Sequence, residues 1–162
     1  MNLKRLSQGG RAATQNMRPK LVIAEDHAAM RAKIASLVQR DFDLLGSVNG
    51  GLAAIEEAIQ LRPNVLILDV SMPVLDGPDV ARRLKTQGCD AKIVFVSVSR
   101  DRNQVASCLA AGGDAYVSKL RLGTDLRWAI TEVLAGHRFV SPDVAVNGQS
   151  DHARRLRSVK SS

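Results

Sequence analysis

Residues 65–77 read VLILDVSMPVLDG, and this stretch decides the fold. Four uninterrupted apolar residues run into a lone carboxylate, Asp69, and a turn-rich segment with Pro73, Gly77 and Pro78 follows. A strand with one wet face alternates apolar and polar residues. An unbroken apolar run of this length suits a strand of a parallel sheet, covered by helices on both faces. Leu21-Val22-Ile23-Ala24 and Ile93-Val94-Phe95-Val96 have the same character. Residues 42–48 and Ala115-Tyr116-Val117 are weaker strands, of the kind expected at sheet edges.

Helical patterns separate these runs. Met30, Ile34, Leu37 and Val38 share one helix face, and Leu52, Ile55 and Ile59 form a second stripe. Val80 and Leu84 mark a shorter helix after the turn. Val105, Cys108 and Leu109 mark another, stopped by Gly112-Gly113, and Leu126, Ile130, Val133 and Leu134 the last. Five strands alternating with five helices imply right-handed crossovers and a doubly wound parallel α/β sheet. Ligands of such sheets sit at the carboxyl ends of the strands.

Composition narrows the class. The chain has 162 residues, 45% hydrophobic and 24% charged, which is enough for a buried core. No run approaches the 18 apolar residues of a membrane span, and no secretory signal opens the chain. Cys89 and Cys108 lack metal or redox spacing, consistent with a reducing, cytoplasmic setting. The net charge of +7 suggests nucleic acid until it is located. Residues 1–20 carry Lys4, Arg5, Arg11, Arg18 and Lys20 with no acid. Residues 151–162 carry four basic residues against Asp151, and the stretch between holds 14 basic and 15 acidic residues. The basic character belongs to the ends, and five aromatics are too few for a base-stacking platform.

The polar residues at the strand ends carry the chemistry. Glu25 and Asp26 follow the first strand, Asp69 ends the third, Ser97 ends the fourth and Lys119 lies just past the fifth. Crowded carboxylates repel one another, and a hard divalent cation such as Mg²⁺ relieves that repulsion. A hydroxyl and an ammonium opposite would contact an anion beside the metal, which describes a phosphoryl-transfer site. With Asp69 central, the nucleophile is a carboxylate that forms an acyl phosphate. Singly, each residue reads as a helix cap, a turn residue or a surface charge. Their joint placement on one rim carries the reading. His27 reads as a helix-start residue rather than a ligand, since Mg²⁺ prefers oxygen. Trp128 is expected in the core, and Arg82, Arg83 and Lys85 on a solvated helix face.

LVIAEDHAAMR (21–31), VLILDVSMPVLDG (65–77), IVFVSVS (93–99) and AGGDAYVSK (111–119) resemble the receiver domain of bacterial two-component response regulators. SVSRD, AGGDAYVSK and GHRFVSP resemble the receivers that usually precede a LuxR-type helix-turn-helix. The resemblance implies a flavodoxin-like (βα)5 sheet in the order 2-1-3-4-5. It places a receiver over 20–142, a basic flexible extension over 1–19 and a basic flexible tail over 143–162. It implies that Asp69 takes phosphate from the phosphohistidine of a sensor histidine kinase or phosphotransfer protein. Asp26, Asp69 and the backbone carbonyl of Ser71 would ligate Mg²⁺, with Glu25 acting mostly through a bound water. Ser97 and Lys119 would contact the phosphate, and Tyr116 would be the aromatic that turns inward on activation, changing a protein-binding face. Pro73 and Gly77 would shape the loop after the acceptor.

The same resemblance implies self-phosphorylation and self-dephosphorylation and no further enzyme activity, with self-dimerisation on activation. This chain alone is expected to bind no nucleic acid. Three features depart from the pattern: Glu25 where Asp is commoner, Val98 after the hydroxyl residue, and Leu120 where proline often stands. Two other classes share part of this pattern. A fragment of a LuxR-type DNA-binding transcriptional regulator would lack its output domain here, since only 22 residues follow Val140. A haloacid-dehalogenase-type hydrolase needs a second Asp two positions after the first, where this chain has Ser71.

Overall fold

A computed structural model describes residues 17–144. The two basic ends therefore fall almost wholly outside the described residues. The elements alternate as the apolar runs require. They are β1 (Lys20–Ala24), α1 (Ala28–Val38), β2 (Asp43–Val48), α2 (Gly51–Leu61), β3 (Val65–Asp69) and α3 (Gly77–Thr86). Then come β4 (Lys92–Ser97), α4 (Arg102–Ala110), β5 (Ala115–Ser118), a 3-10 turn (Lys119–Arg121), α5 (Leu122–Leu134) and β6 (Phe139–Val140). No helix among the described residues is long and apolar enough to cross a membrane.

The sheet is parallel throughout, in the order β2-β1-β3-β4-β5-β6. The doubly wound α/β class and the 2-1-3-4-5 order are as the sequence implies, with one strand more. Residues 65–69 are buried along their whole length because the sheet separates two apolar layers. One layer holds Val22, Leu66, Leu68, Phe95 and Tyr116 with residues of α2, α3 and α4. The other holds Leu21, Ile23, Ile67, Val94, Val96 and Val117 with residues of α1 and α5. Successive side chains of a strand point to opposite faces, so both layers draw on the same runs.

Local chemistry sets the helix starts. Asp76 caps α3 by accepting from the Asp79 amide at 2.9 Å, with Pro78 in the first turn. Asp101 caps α4 by accepting from Asn103 at 2.9 Å. Gly112, at φ 117°, turns the chain after α4 as the Gly112-Gly113 pair predicted.

Four expectations are corrected. First, β5 is not an edge, because Phe139 and Val140 pair with Ala115 and Tyr116, and all of β5 is buried. Second, the packed region continues past Pro142: Val144 is buried in the cluster that contains Tyr116. Third, of the Leu52, Ile55 and Ile59 stripe only Ile55 is buried. Helix α2 turns its small face inward through Gly51, Ala54 and Ala58, since a Cβ on Gly51 would stand 2.6 Å from the Leu75 carbonyl oxygen. Fourth, Trp128 is 57% exposed on α5 and lies outside the core. Arg82, Arg83 and Lys85 are exposed, as expected.

Candidate phosphoacceptor site

The carboxyl ends of β1, β3, β4 and β5 gather the polar residues. Register explains how: Asp69 lies across from Val96, one residue before Ser97, and Ser97 pairs with Ser118, one residue before Lys119. Strand burial then encloses what the strand ends carry. Glu25 has no exposure, and Asp69 and Ser97 are almost as deep.

Lys119 brings the site together. Its Nζ lies 2.8 Å from Glu25 Oε2 and 3.2 Å from Asp69 Oδ1. One half-buried ammonium is thus shared by two buried carboxylates, and Asp26 adds a third acid beside them. Burial pushes the Asp69 carboxyl up to about 6; the Lys119 charge opposes that rise and the Glu25 charge adds to it. For Lys119, burial works to lower the pKa, but the Glu25 contact and the Asp69 charge outweigh it and the net shift is upward. Both directions are consistent: the lysine faces two acids, whereas Asp69 has only a share of one lysine and a second acid nearby.

Ser97 Oγ accepts from the Ser99 amide at 3.1 Å. The Ser71 amide donates to Asp69 Oδ1 at 3.3 Å, and the Gly77 amide to the Val70 carbonyl at 2.9 Å, which folds the loop after the acceptor. A Cβ on Gly77 would meet the Asp69 carbonyl oxygen at 2.5 Å, so only glycine fits there. Within the same loop Val74, at φ 70°, is spanned by a Leu75 amide to Pro73 carbonyl bond of 2.8 Å. The Tyr116 ring lies inward, fully buried, with its hydroxyl donating to the Ser99 carbonyl at 2.8 Å.

Three contacts went unread in the sequence. His27 Nδ1 stands 3.3 Å from Glu25 Oε1 and 3.2 Å from Asp26 Oδ1, closer to the acids than a mere helix-start residue needs. Arg31 Nη1 donates to the Glu25 carbonyl at 2.8 Å, one turn along α1. Asp125, four residues after Arg121, is buried and pairs with it through two bonds; the i,i+4 spacing was the available signal.

The residues present fit a divalent cation. Ligand atoms of Glu25, Asp26, His27 and Asp69 lie within 4.8 Å of one another. Glu25 Oε2 and Asp26 Oδ1 are buried, and the close polar neighbours of the two are Lys119 Nζ at 2.8 Å and His27 Nδ1 at 3.2 Å. Buried carboxylate oxygens with spare acceptor capacity suit a hard ion such as Mg²⁺.

Known proteins resemble this chain in sequence and in fold. The chain is 36% identical over 127 residues to a nitrate/nitrite response regulator protein homolog of Haemophilus influenzae, covering 77% of this chain and 61% of that protein. It is 30% identical over 129 residues to the response regulator GacA of Pseudomonas syringae, covering 78% and 60%. The chain thus spans about three-fifths of the length of these relatives. Among solved structures, a LuxR-family two-component response regulator from Aurantimonas superposes with a TM-score of 0.77 at 22% identity, over 86% of this chain and 99% of that one. The isolated receiver domain of RcsB from Salmonella enterica, solved with a beryllofluoride phosphomimetic, gives 0.73 at 22%, over 80% and 97%. These two show the shared fold. The family model described as the response regulator receiver domain matches residues 21–131, from β1 into α5 and across every strand end described above. Because that match spans more than half of the sequence, this chain belongs to the response regulator receiver domain family.

Proposed function

We propose that this protein is a phosphoacceptor in a two-component relay, taking a phosphoryl group on Asp69 from a phosphohistidine of a sensor kinase or phosphotransfer protein. The observation that carries the reading is the Lys119 ammonium held between Glu25 and Asp69 at the sheet rim, with Asp26 alongside. An Asp69 carboxylate oxygen attacks phosphorus, the P–N bond breaks, and the imidazole leaves as the new acyl phosphate forms. Lys119 moves from sharing two carboxylates to pairing with the incoming phosphoryl oxygens, and Ser97 turns its hydroxyl to donate to one of them. Asp26, Asp69 and the Ser71 carbonyl would hold Mg²⁺, with Glu25 acting through water; the ion would neutralise charge on the phosphoryl group. Water later cleaves the acyl phosphate, restoring the carboxylate and releasing inorganic phosphate. Self-phosphorylation and this hydrolysis are the only reactions assigned to the chain, which would act in the cytoplasm through protein partners and a self-dimer.

Incubation with acetyl phosphate and Mg²⁺, followed by intact mass, should show one added phosphoryl group that chelation prevents. Equal labelling of Asp69→Asn would overturn the assignment.

A further inference from the structure

Asp125 is an ionisable side chain buried at the start of α5, away from the acidic rim. A carboxylate is costly to bury unless every oxygen is partnered, and here both are. Arg121 Nε donates to Oδ2 at 2.7 Å and Nη2 to Oδ1 at 3.2 Å. Thr124 Oγ1 adds 3.1 Å to Oδ1, and the buried Ser141 hydroxyl adds 2.8 Å to Oδ2. Burial alone would raise the Asp125 pKa, but these donors outweigh it and hold the carboxyl below its ordinary value.

The far ends of these bonds matter more than their number. Ser141 Oγ accepts from the Ser118 amide at 3.0 Å, and the Ser141 amide donates to the Tyr116 carbonyl at 2.9 Å. Ser118 immediately precedes Lys119, and Arg121 lies two residues after it. One carboxylate therefore ties down the chain on both sides of Lys119, which begins the 3-10 turn. Lysine is a flexible four-carbon stem, so the reach of its ammonium to Glu25 and Asp69 depends on where that backbone is anchored.

On the reading given under Proposed function, we propose that Asp125, acting through Ser141 and Arg121, is a positioning residue that sets the Lys119 ammonium for phosphoryl transfer. An apolar residue could fill the space beside α5, but it could not tie the Ser118 amide, through Ser141, to the Arg121 guanidinium. Small misplacement of a catalytic group costs rate steeply, up to about 100-fold for ~1 Å.

The test compares the full chain with Ser141→Ala, Asp125→Asn and Lys119→Ala, singly and with each of the first two combined with Lys119→Ala. Phosphorylation by acetyl phosphate is timed at saturating Mg²⁺, and Mg²⁺ affinity is titrated separately. Ser141→Ala and Asp125→Asn should each slow phosphorylation about tenfold, well short of that ~100-fold ceiling, while Mg²⁺ affinity stays unchanged. In the Lys119→Ala background the same changes should have no further effect, because the group they position is gone. Both variants should lower the melting temperature on either reading, so the rates decide: losses that stay additive in the Lys119→Ala background would mark a merely structural role and overturn the proposal. The Lys119 side-chain Cε resonance of the unphosphorylated protein supplies a reading independent of transfer. It should shift in Ser141→Ala, and an unmoved resonance would also overturn the proposal. Wild-type protein that takes no phosphoryl group, with the resonance still shifting, would defeat the proposed function and leave the positioning of Lys119 supported.

Discussion

The Tyr116 hydroxyl donates to the Ser99 carbonyl at 2.8 Å from a ring that solvent does not reach, so the loop after Ser97 is pinned to strand β5. Gln104 Oε1 lies 3.4 Å from the same hydroxyl, on α4. Burial raises the Tyr116 pKa above its ordinary value, which keeps the phenol a donor. Tyr116→Phe leaves the Ser99 carbonyl without this donor and should cost about 1 kcal/mol. Urea unfolding reads the loss, and a variant as stable as wild type would show that the bond contributes nothing.

Metal affinity should depend on pH through Asp69, whose carboxyl burial lifts to about 6. The folded state holds this proton more tightly than the unfolded chain. The stabilisation it brings is complete below the ordinary value of 3.8 and is lost as pH rises through about 6. Mg²⁺ must displace the proton, so its affinity should fall about tenfold per pH unit below that point. Melting with and without Mg²⁺ should show a larger metal-induced gain at pH 8 than at pH 5. Equal gains would rule out Asp69 as a ligand.

Removing the shared cation should expose what it balances. Lys119→Ala leaves Glu25 and Asp69 buried without their ammonium, since the lysine contacts both. At neutral pH without metal the loss should approach about 3–5 kcal/mol, less what Asp69 recovers by taking up a proton. Saturating Mg²⁺ should restore most of it. Chemical unfolding in chelator and in Mg²⁺ measures both, and an equal deficit in the two would contradict a shared acidic pocket.

Val74 is β-branched, 96% exposed, and held at φ 70° in the loop after Asp69. Left-handed backbone costs such a residue about 1–2 kcal/mol, whereas glycine adopts it freely. Glycine loses about 0.5–1 kcal/mol more entropy on folding, so Val74→Gly should stabilise by several tenths of a kcal/mol. A lowered melting temperature would show that the exposed side chain has a stabilising role that outweighs the strain.

Gly77→Ala should do the reverse, because its Cβ would stand 2.5 Å from the Asp69 carbonyl oxygen and 3.0 Å from Val70 Cα. Backbone must move beside the acceptor, at a cost of about 1–3 kcal/mol with slowed phosphorylation. Gly123→Ala is the control: it lies in α5 with open space around it, and alanine there should gain up to about 1 kcal/mol. The two variants should separate by calorimetry, and equal melting temperatures would refute the close approach.

Much of this molecule is legible along the chain itself. Continuous apolar runs at 21–24, 65–68 and 93–96 announce strands covered on both faces. Alternation with helices then fixes parallel pairing, and parallel strands put Glu25, Asp26, Asp69, Ser97 and Lys119 on one rim. Those signals are local and periodic, so sequence carries them. Tertiary structure alone decided what depends on distant partners. Phe139 and Val140 become a strand only because β5 offers them an open edge, too short a pairing for any sequence period to mark. Helix α2 faces inward with Gly51, Ala54 and Ala58 because close approach to the chain at Leu75 favours small residues over the Leu52 and Ile59 stripe. Tyr116 lies inward because the Ser99 carbonyl awaits it there. Asp125 and Ser141 stand 16 residues apart, and no pattern joins them; the turn of α5 beneath β6 brings a hydroxyl and a carboxylate within 2.8 Å.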